Sequence, residues 1–213
     1  MVAEAVAAGW EIEAQFVAPG GEAVPDAGGT VYQLGAHVIE RVASTEAPQP
    51  LLAIVRIRRR EISDLSQASL VVVCDRISDP GNLGTILRSS EAAGVSGVVL
   101  LSGSVDPYNP KVVRASAGAL FHVPVVVDVS IDELGGLGLS LIGTSSHRGV
   151  PYTEADLVKP FALVMGSEAQ GVAEQIPIDL WLTIPHQGRS ESLNVAMATT
   201  VVVFEAMRQR RAG

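Results

Sequence analysis

Between residues 69 and 184 the chain repeats one pattern. Short apolar runs are separated by longer amphipathic or polar stretches. The runs are Leu70–Cys74, Val98–Leu101, Val125–Val127, Leu139–Gly143, Ala162–Met165 and Trp181–Ile184. Their length and richness in valine, leucine and isoleucine suit strands buried on both faces. The intervening stretches predict helices near Asn82–Ala93 and Pro110–Leu120, with short helices elsewhere. A last helix is expected from about Ser192 to Arg210. Strands alternating with helices predict an α/β domain, with a mostly parallel sheet flanked by helices.

The first 60 residues follow another rhythm. Val2 to Ala8 read as a helix and Ala14 to Ala18 as a strand. A Gly/Pro-rich loop runs from Pro19 to Gly29, then a helix from Leu34 to Ala43 and a strand from Leu51 to Ile57. This half is small for a core of its own. It opens inside a helix pattern, so a strand is expected to be missing from its front. The charged, polar stretch from Arg58 to Gln67 reads as a connection. The expected organisation is residues 1–60, a linker at 61–68, and a second domain at 69–213.

Composition narrows the classes. Of 213 residues, 47% are hydrophobic and 18% charged, the balance of a folding chain rather than a disordered one. No apolar run reaches the length of a membrane span, and the N-terminus lacks the features of a secretory signal. Cys74 is the one cysteine, so no internal disulfide forms, and a cytoplasmic location is the default expectation. The four histidines, His37, His122, His147 and His186, show no metal-ligand spacing, so no metal is expected. The net charge of −8 argues against broad nucleic-acid affinity. Yet Arg56, Arg58, Arg59 and Arg60 form one basic knot, and Arg208, Arg210 and Arg211 a second.

Three segments could carry chemistry. In DPGNLGTILRSSEAAGV, 79–95, a turn leads into a helix whose first amides could hold an anion. It is neither a P-loop nor a dinucleotide fingerprint, since no lysine follows Gly84 and GNLG is not GxGxxG. Arg88 lies about one and two-thirds turns beyond Asn82. An ordinary βα turn is the plain alternative. In LVMGSEAQGV, 163–172, Glu168 follows the end of a predicted strand, where open α/β sheets bind ligands; the plain alternative is a charge favouring a helix dipole. In IPHQGRSESLNVAMATTVVVFEAMRQ, 184–209, Ser192 or Ser190 would cap the last helix and Glu191 suits its first turn. From Val195 to Phe204 only Thr199 and Thr200 interrupt the apolar residues, so that helix should be buried on more than one side. Lys111, Arg114 and Ser116 form either a solvated face or a phosphate contact.

Together, in this order, the three segments resemble the motifs of the SpoU (TrmH-like) family of SPOUT RNA 2′-O-ribose methyltransferases. The resemblance covers about residues 69–211. The first half is similar to the family's ribosomal protein L30-like substrate-binding domain. STEAPQPLLAIVR, 44–56, matches that domain's end, with Pro50 where the family usually has glycine.

The resemblance implies a C-terminal trefoil knot, S-adenosylmethionine as cofactor and a homodimer with active sites at its interface. Knot loops around 143–145, 166–171 and 184–194 would hold the cofactor. Thr144, Gly166, Gly171, Ile184 and Leu193 are the expected cofactor contacts. Asn82, Arg88, Glu168, Ser192 and Asn194 are the expected catalytic group. In it Arg88 would contact phosphate and the 2′-oxygen and assist deprotonation, and Glu168 would balance Arg88. Arg58, Arg59, Arg60, Arg114 and Ser116 are the expected RNA contacts. Large-subunit ribosomal RNA is the first substrate expectation and transfer RNA the second. The acidic balance and short first half leave room for a catalytically inactive RNA-binding homologue.

Overall fold

The computed structural model describes residues 1–42, 47–189 and 192–212. The chain divides into two compact units, Met1–Arg59 and Arg60–Gly213.

The first unit opens with helix α1 (Val2–Ala7) and is built on strand β1 (Ile12–Val17). Strand β2 (Thr30–Gln33) pairs with β1 in parallel. A short helix α2 (Val38–Val42) follows. Strand β3 (Leu51–Val55) pairs with β1 antiparallel on its other side. The sequence pattern missed β2, placing a loop and then a helix from Leu34, because all four β2 residues are exposed and show no apolar alternation. The Gly/Pro-rich loop is held by a polar residue of the sheet. Buried Gln15 accepts the Val24 amide at 2.8 Å and donates to the carbonyls of Val24 and Gly28 at 3.3 and 3.4 Å. A buried side-chain amide satisfied in this way orders a loop that has little apolar content of its own.

The second unit holds one seven-stranded, wholly parallel sheet. Its strands are β4 (Leu70–Asp75), β5 (Gly97–Leu101), β6 (Val125–Val129), β7 (Ser140–Thr144), β8 (Val150–Pro151), β9 (Phe161–Gly166) and β10 (Leu180–Thr183). The order across the sheet is β6-β5-β4-β9-β7-β10-β8, and every neighbouring pair is parallel. Chain order and sheet order part company after β6. The late strand β9 enters between β4 and β7, and β10 between β7 and β8.

Both faces of the sheet are covered, as continuous apolar strands require. Leu70, Val72 and Cys74 of β4 pack on one side, with Leu83, Ile86 and Leu87 of helix α3 (Pro80–Ala92). Val112 of helix α4 (Pro110–Ala115) and Val202, Val203 and Ala206 of helix α6 (Val195–Ala212) belong to the same core. Val71 and Val73 pack on the other side, with Leu134 of helix α5 (Ile131–Gly135). Gly84 lets α3 and α4 meet: a Cβ there would sit 2.3 Å from the Ala115 Cβ. Within the stretch read as a linker, a 3-10 turn at Ile62–Leu65 buries Leu65 in this second core.

The expected helix from Pro110 to Leu120 is broken. Ala117 and Gly118 take positive φ, 50° and 99°, and a separate 3-10 turn covers Ala119–Phe121. Ser116 is fully buried there and donates to the Val113 carbonyl at 2.8 Å. The last helix begins at Val195 rather than Ser192. Its two threonines are satisfied inside the fold. Thr199 donates to the Val195 carbonyl at 2.7 Å, and Thr200 shares a 2.6 Å hydrogen bond with Ser89 of α3. Met197 and Phe204 remain exposed on this chain. Among the described residues, no helix is long and apolar enough to cross a membrane.

Candidate active site

The C-terminal ends of β7, β9 and β10 open onto one pocket of about 390 Å³, within the range typical of small-molecule sites. Thr144 ends β7, Gly166 ends β9 and Ile184 follows β10, and all three line it. Gly171 and Leu193 complete the set of five expected cofactor contacts on its wall. Ser192 and Glu168 line it too.

The loop after β9 is folded tightly on itself. Ser167 and Gly171 form an isolated bridge, with the Gly171 amide donating to the Ser167 carbonyl at 2.8 Å. Gly171 has φ +67°, and a Cβ on Gly166 would lie 2.0 Å from the Gly171 carbonyl carbon. Only glycine at 166 allows this approach. The loop is tied to the sheet by Asp75, at the end of β4. Asp75 is buried, accepts the Ala173 amide at 2.8 Å and pairs with Arg76 at 3.1 Å. Arg76, itself at φ 56°, donates to the Gly171 carbonyl at 3.2 Å and to the Gln170 side chain.

A polar chain stands beside the pocket. Asp79 caps α3, accepting the Asn82 amide at 2.8 Å. The Asn82 side chain donates to Glu168 and accepts from Asn194 at 2.9 Å. Asn194 in turn accepts the amides of Ala196 and Met197 at 3.0 and 3.3 Å. The cap of the last helix is therefore Asn194, not Ser192: Ser192 lies three positions before the first helical residue, Val195, and Asn194 already satisfies the first free amides. Ser190 and Glu191 lie outside the described residues.

Arg88 stands apart from this group. It is exposed, does not line the pocket, and makes no hydrogen bond or ion pair among the described residues. Six helical positions turn it about 240° from Asn82. Glu168 consequently pairs with Asn82 and not with Arg88.

The expected RNA contacts divide. Ser116 is buried and spent on the backbone, so it offers nothing to a nucleic acid. Arg58 lies over the Trp10 ring and donates to the carbonyls of Ala8 and Gly9. Arg60 faces Asp64 at 3.7 Å. Arg59 is exposed with no such partner among the described residues, and Arg114 is exposed on α4. In the second basic knot Arg208 and Arg211 are exposed and Arg210 is half-buried. Arg208 pairs with Glu205 at 2.7 Å, and Arg210 is held by carbonyls.

Several lining residues escaped the sequence reading, among them Met165, His147, Arg148, Trp181 and His186. His186 lies within the third motif, and its Nε2 is buried without a partner among the described residues. Its place directly after a predicted strand end was the available signal. Cys74, by contrast, is remote from chemistry: burial pushes its thiol up to about 12, which keeps it protonated and inert.

A wholly parallel sheet with a pocket across three strand ends defines a ligand-binding α/β protein. The chain belongs to the SpoU rRNA methylase family, whose pattern matches residues 69–204. It is 38% identical over 178 residues to the 23S rRNA (guanosine(2553)-2′-O)-methyltransferase RlmP of Bacillus subtilis, covering 81% of this chain and 71% of that one. It is 32% identical over 189 residues to the 23S rRNA (uridine(2479)-2′-O)-methyltransferase of Streptomyces viridochromogenes, covering 83% and 66%. Among solved structures it resembles the AdoMet-bound rRNA methyltransferase of Sinorhizobium meliloti, at 31% identity and a TM-score of 0.87 over 97% of this chain and 84% of that one.

Proposed function

We propose that the protein transfers the methyl group of S-adenosylmethionine to a ribose 2′-hydroxyl of RNA, with large-subunit ribosomal RNA as substrate. The observation that carries this reading is the pocket across β7, β9 and β10 with the Glu168–Asn82–Asn194 chain beside it, in a sequence of this family. The residues present suit the cofactor. The tight turn at Gly166 and Gly171 leaves backbone exposed to a ligand, Ile184 and Leu193 give apolar walls, and Thr144 and Ser192 give hydroxyls. The cofactor supplies an activated methyl group on a sulfonium.

The chain's own residues must supply positioning and a route for the hydroxyl proton. Asn82, oriented from both sides, and Ser192 at the pocket wall hold the ribose. Glu168 fixes Asn82 and the loop after β9. Arg88 contacts phosphate and the 2′-oxygen and assists deprotonation. A guanidinium offers charge and a fork of N–H donors, so Arg88 acts as an electrostatic partner rather than a simple base.

The late entry of β9 and β10 between earlier strands supports a trefoil knot in the C-terminal part. The apolar residues exposed on α6, together with an Arg88 outside its own chain's pocket, support a homodimer whose sites are shared between copies. The three-stranded first unit serves as the substrate-binding, L30-like part, with Arg59 as an RNA contact; Arg114, on α4 of the second unit, is another. A cytoplasmic location accords with this role.

The test is to map 2′-O-methylated nucleotides in ribosomal RNA treated with the wild-type protein or with Arg88→Ala. Wild type should add one or a few ribose methyl groups, and Arg88→Ala should lose nearly all of that activity. Full activity in the variant would remove Arg88 from the site. Modification of transfer RNA alone would overturn the substrate assignment.

A further inference from the structure

Arg148 sits between β7 and β8 and lines the pocket. Its guanidinium carbon lies 4.0 Å from the centroid of the Trp181 ring on β10. Two glycines make this arrangement possible. Gly143 is the β7 partner of Trp181, and a Cβ there would meet the indole at 3.0 Å. Gly149 has φ +119°, and a Cβ there would lie 2.5 Å from the Trp181 carbonyl oxygen. The first glycine leaves room for the indole over β7. The second lets the loop carrying Arg148 close against the β10 backbone.

The stacked guanidinium is thus placed but unspent. A cation over an indole face is held by the ring's electron density, while its N–H donors stay free for an acceptor. Among the described residues Arg148 makes no hydrogen bond or ion pair. Of the described residues lining the pocket it is the one guanidinium, and Glu168 is the one carboxylate. A pocket with one charge of each sign suits a zwitterionic amino-acid group better than a polyanion, because Glu168 would repel a phosphate chain that Arg148 attracts.

We propose that Arg148, held on Trp181, binds the α-carboxylate of the methionyl part of the cofactor, an inference that rests on the S-adenosylmethionine reading above. A planar guanidinium pairs with a carboxylate through two parallel hydrogen bonds. Arg148 therefore selects cofactors that carry the carboxylate and takes no part in the methyl transfer itself.

The experiment compares S-adenosylmethionine with decarboxylated S-adenosylmethionine by calorimetry, using wild type, Arg148→Ala and Arg148→Lys, with melting curves to establish folding. Wild type should prefer the carboxylated ligand by about tenfold or more. Arg148→Ala should erase that preference, weakening S-adenosylmethionine by the same factor and the decarboxylated form by less than about twofold. Arg148→Lys, which keeps the charge but loses the fork, should fall between. Equal weakening of both ligands by Arg148→Ala overturns the inference. So does unchanged cofactor affinity with weaker binding of a ribosomal RNA fragment, which would assign Arg148 to phosphate. Wild type binding neither ligand would instead overturn the cofactor reading, and this inference with it.

Discussion

Asn194 donates through its side-chain amide to the Asn82 side-chain oxygen at 2.9 Å, joining the start of the last helix to the start of α3 across 112 residues of sequence. The direction of this bond is fixed from both ends. Backbone amides only donate, so the oxygen of Asn194 must face Ala196 and Met197, leaving its NH₂ for Asn82. A carboxylate only accepts, so the NH₂ of Asn82 must face Glu168, leaving its oxygen for Asn194. Each asparagine can hold one orientation, and the two agree.

Asn194→Asp separates the two duties of this residue. Aspartate caps a helix as well as asparagine does, so stability should stay within about 0.5 kcal/mol of wild type. It cannot donate to Asn82, and its charge opposes the Asn82 oxygen, so methyl transfer should fall about tenfold or more. Asn194→Ala should lose the cap as well, at about 1 kcal/mol. Thermal unfolding and a methyl-transfer assay read the two effects. Equal activity in Asn194→Asp and wild type would show that the Asn82 contact is idle.

Leu193→Asp tests the pocket wall. Leu193 is 36% exposed and lines the pocket just before the helix cap. A carboxylate there stays solvated in the free protein, so folding should be little changed. It removes an apolar contact from a bound cofactor, and cofactor binding should be lost in calorimetry. Binding at wild-type affinity would count against the role given to this residue.

Asp75 tests whether the loop after β9 must be tied down. Its carboxylate is buried between the Ala173 amide and Arg76. Asp75→Ala leaves that amide and guanidinium without their acceptor, which should cost about 2 kcal/mol. Gly171 and Gln170 also lose the arginine's anchoring. Cofactor affinity should therefore fall more than stability alone explains. Asp75→Asn keeps an acceptor for Ala173 and should restore most of the affinity. A Kd unchanged in Asp75→Ala would show the loop holds its shape unaided.

The frame of the second unit was legible in the sequence because buried parallel strands are continuous apolar runs. Leu70–Cys74 and Ala162–Met165 stand out for that reason, and each proves to be part of a strand. The order of those strands was not legible by period, since a pattern that marks strands says nothing of which neighbour each one finds. Glycines at 143 and 149 gave no signal either, because their meaning depends on Trp181, which is distant in sequence. Charge alone also left out that Arg58 and Arg210 are held by backbone carbonyls. One arginine of each basic cluster is taken up by carbonyls, which only the fold brings into view.

Arg210 is the clearest case of such a consumed charge. It donates to the Leu157 carbonyl at 3.0 Å, to the Ser69 hydroxyl and carbonyl at 3.0 and 2.8 Å, and to the Lys159 carbonyl at 3.0 Å. It also lies over the Phe161 ring, and burial pulls its pKa below the usual arginine value. It thereby ties the last helix to the segments that lead into β4 and β9. Arg210→Ala should cost about 2 kcal/mol of stability, since three carbonyls, one of them partly buried, lose a charged donor at once. It should leave the salt dependence of RNA binding unchanged, because four of the five guanidinium donors are already taken by the protein itself. Arg59→Ala should behave oppositely. It should leave the melting temperature in place and lower the slope of log K against log salt by about one counterion. If Arg210→Ala lowered that slope while the melting temperature held, Arg210 would belong to the RNA surface after all.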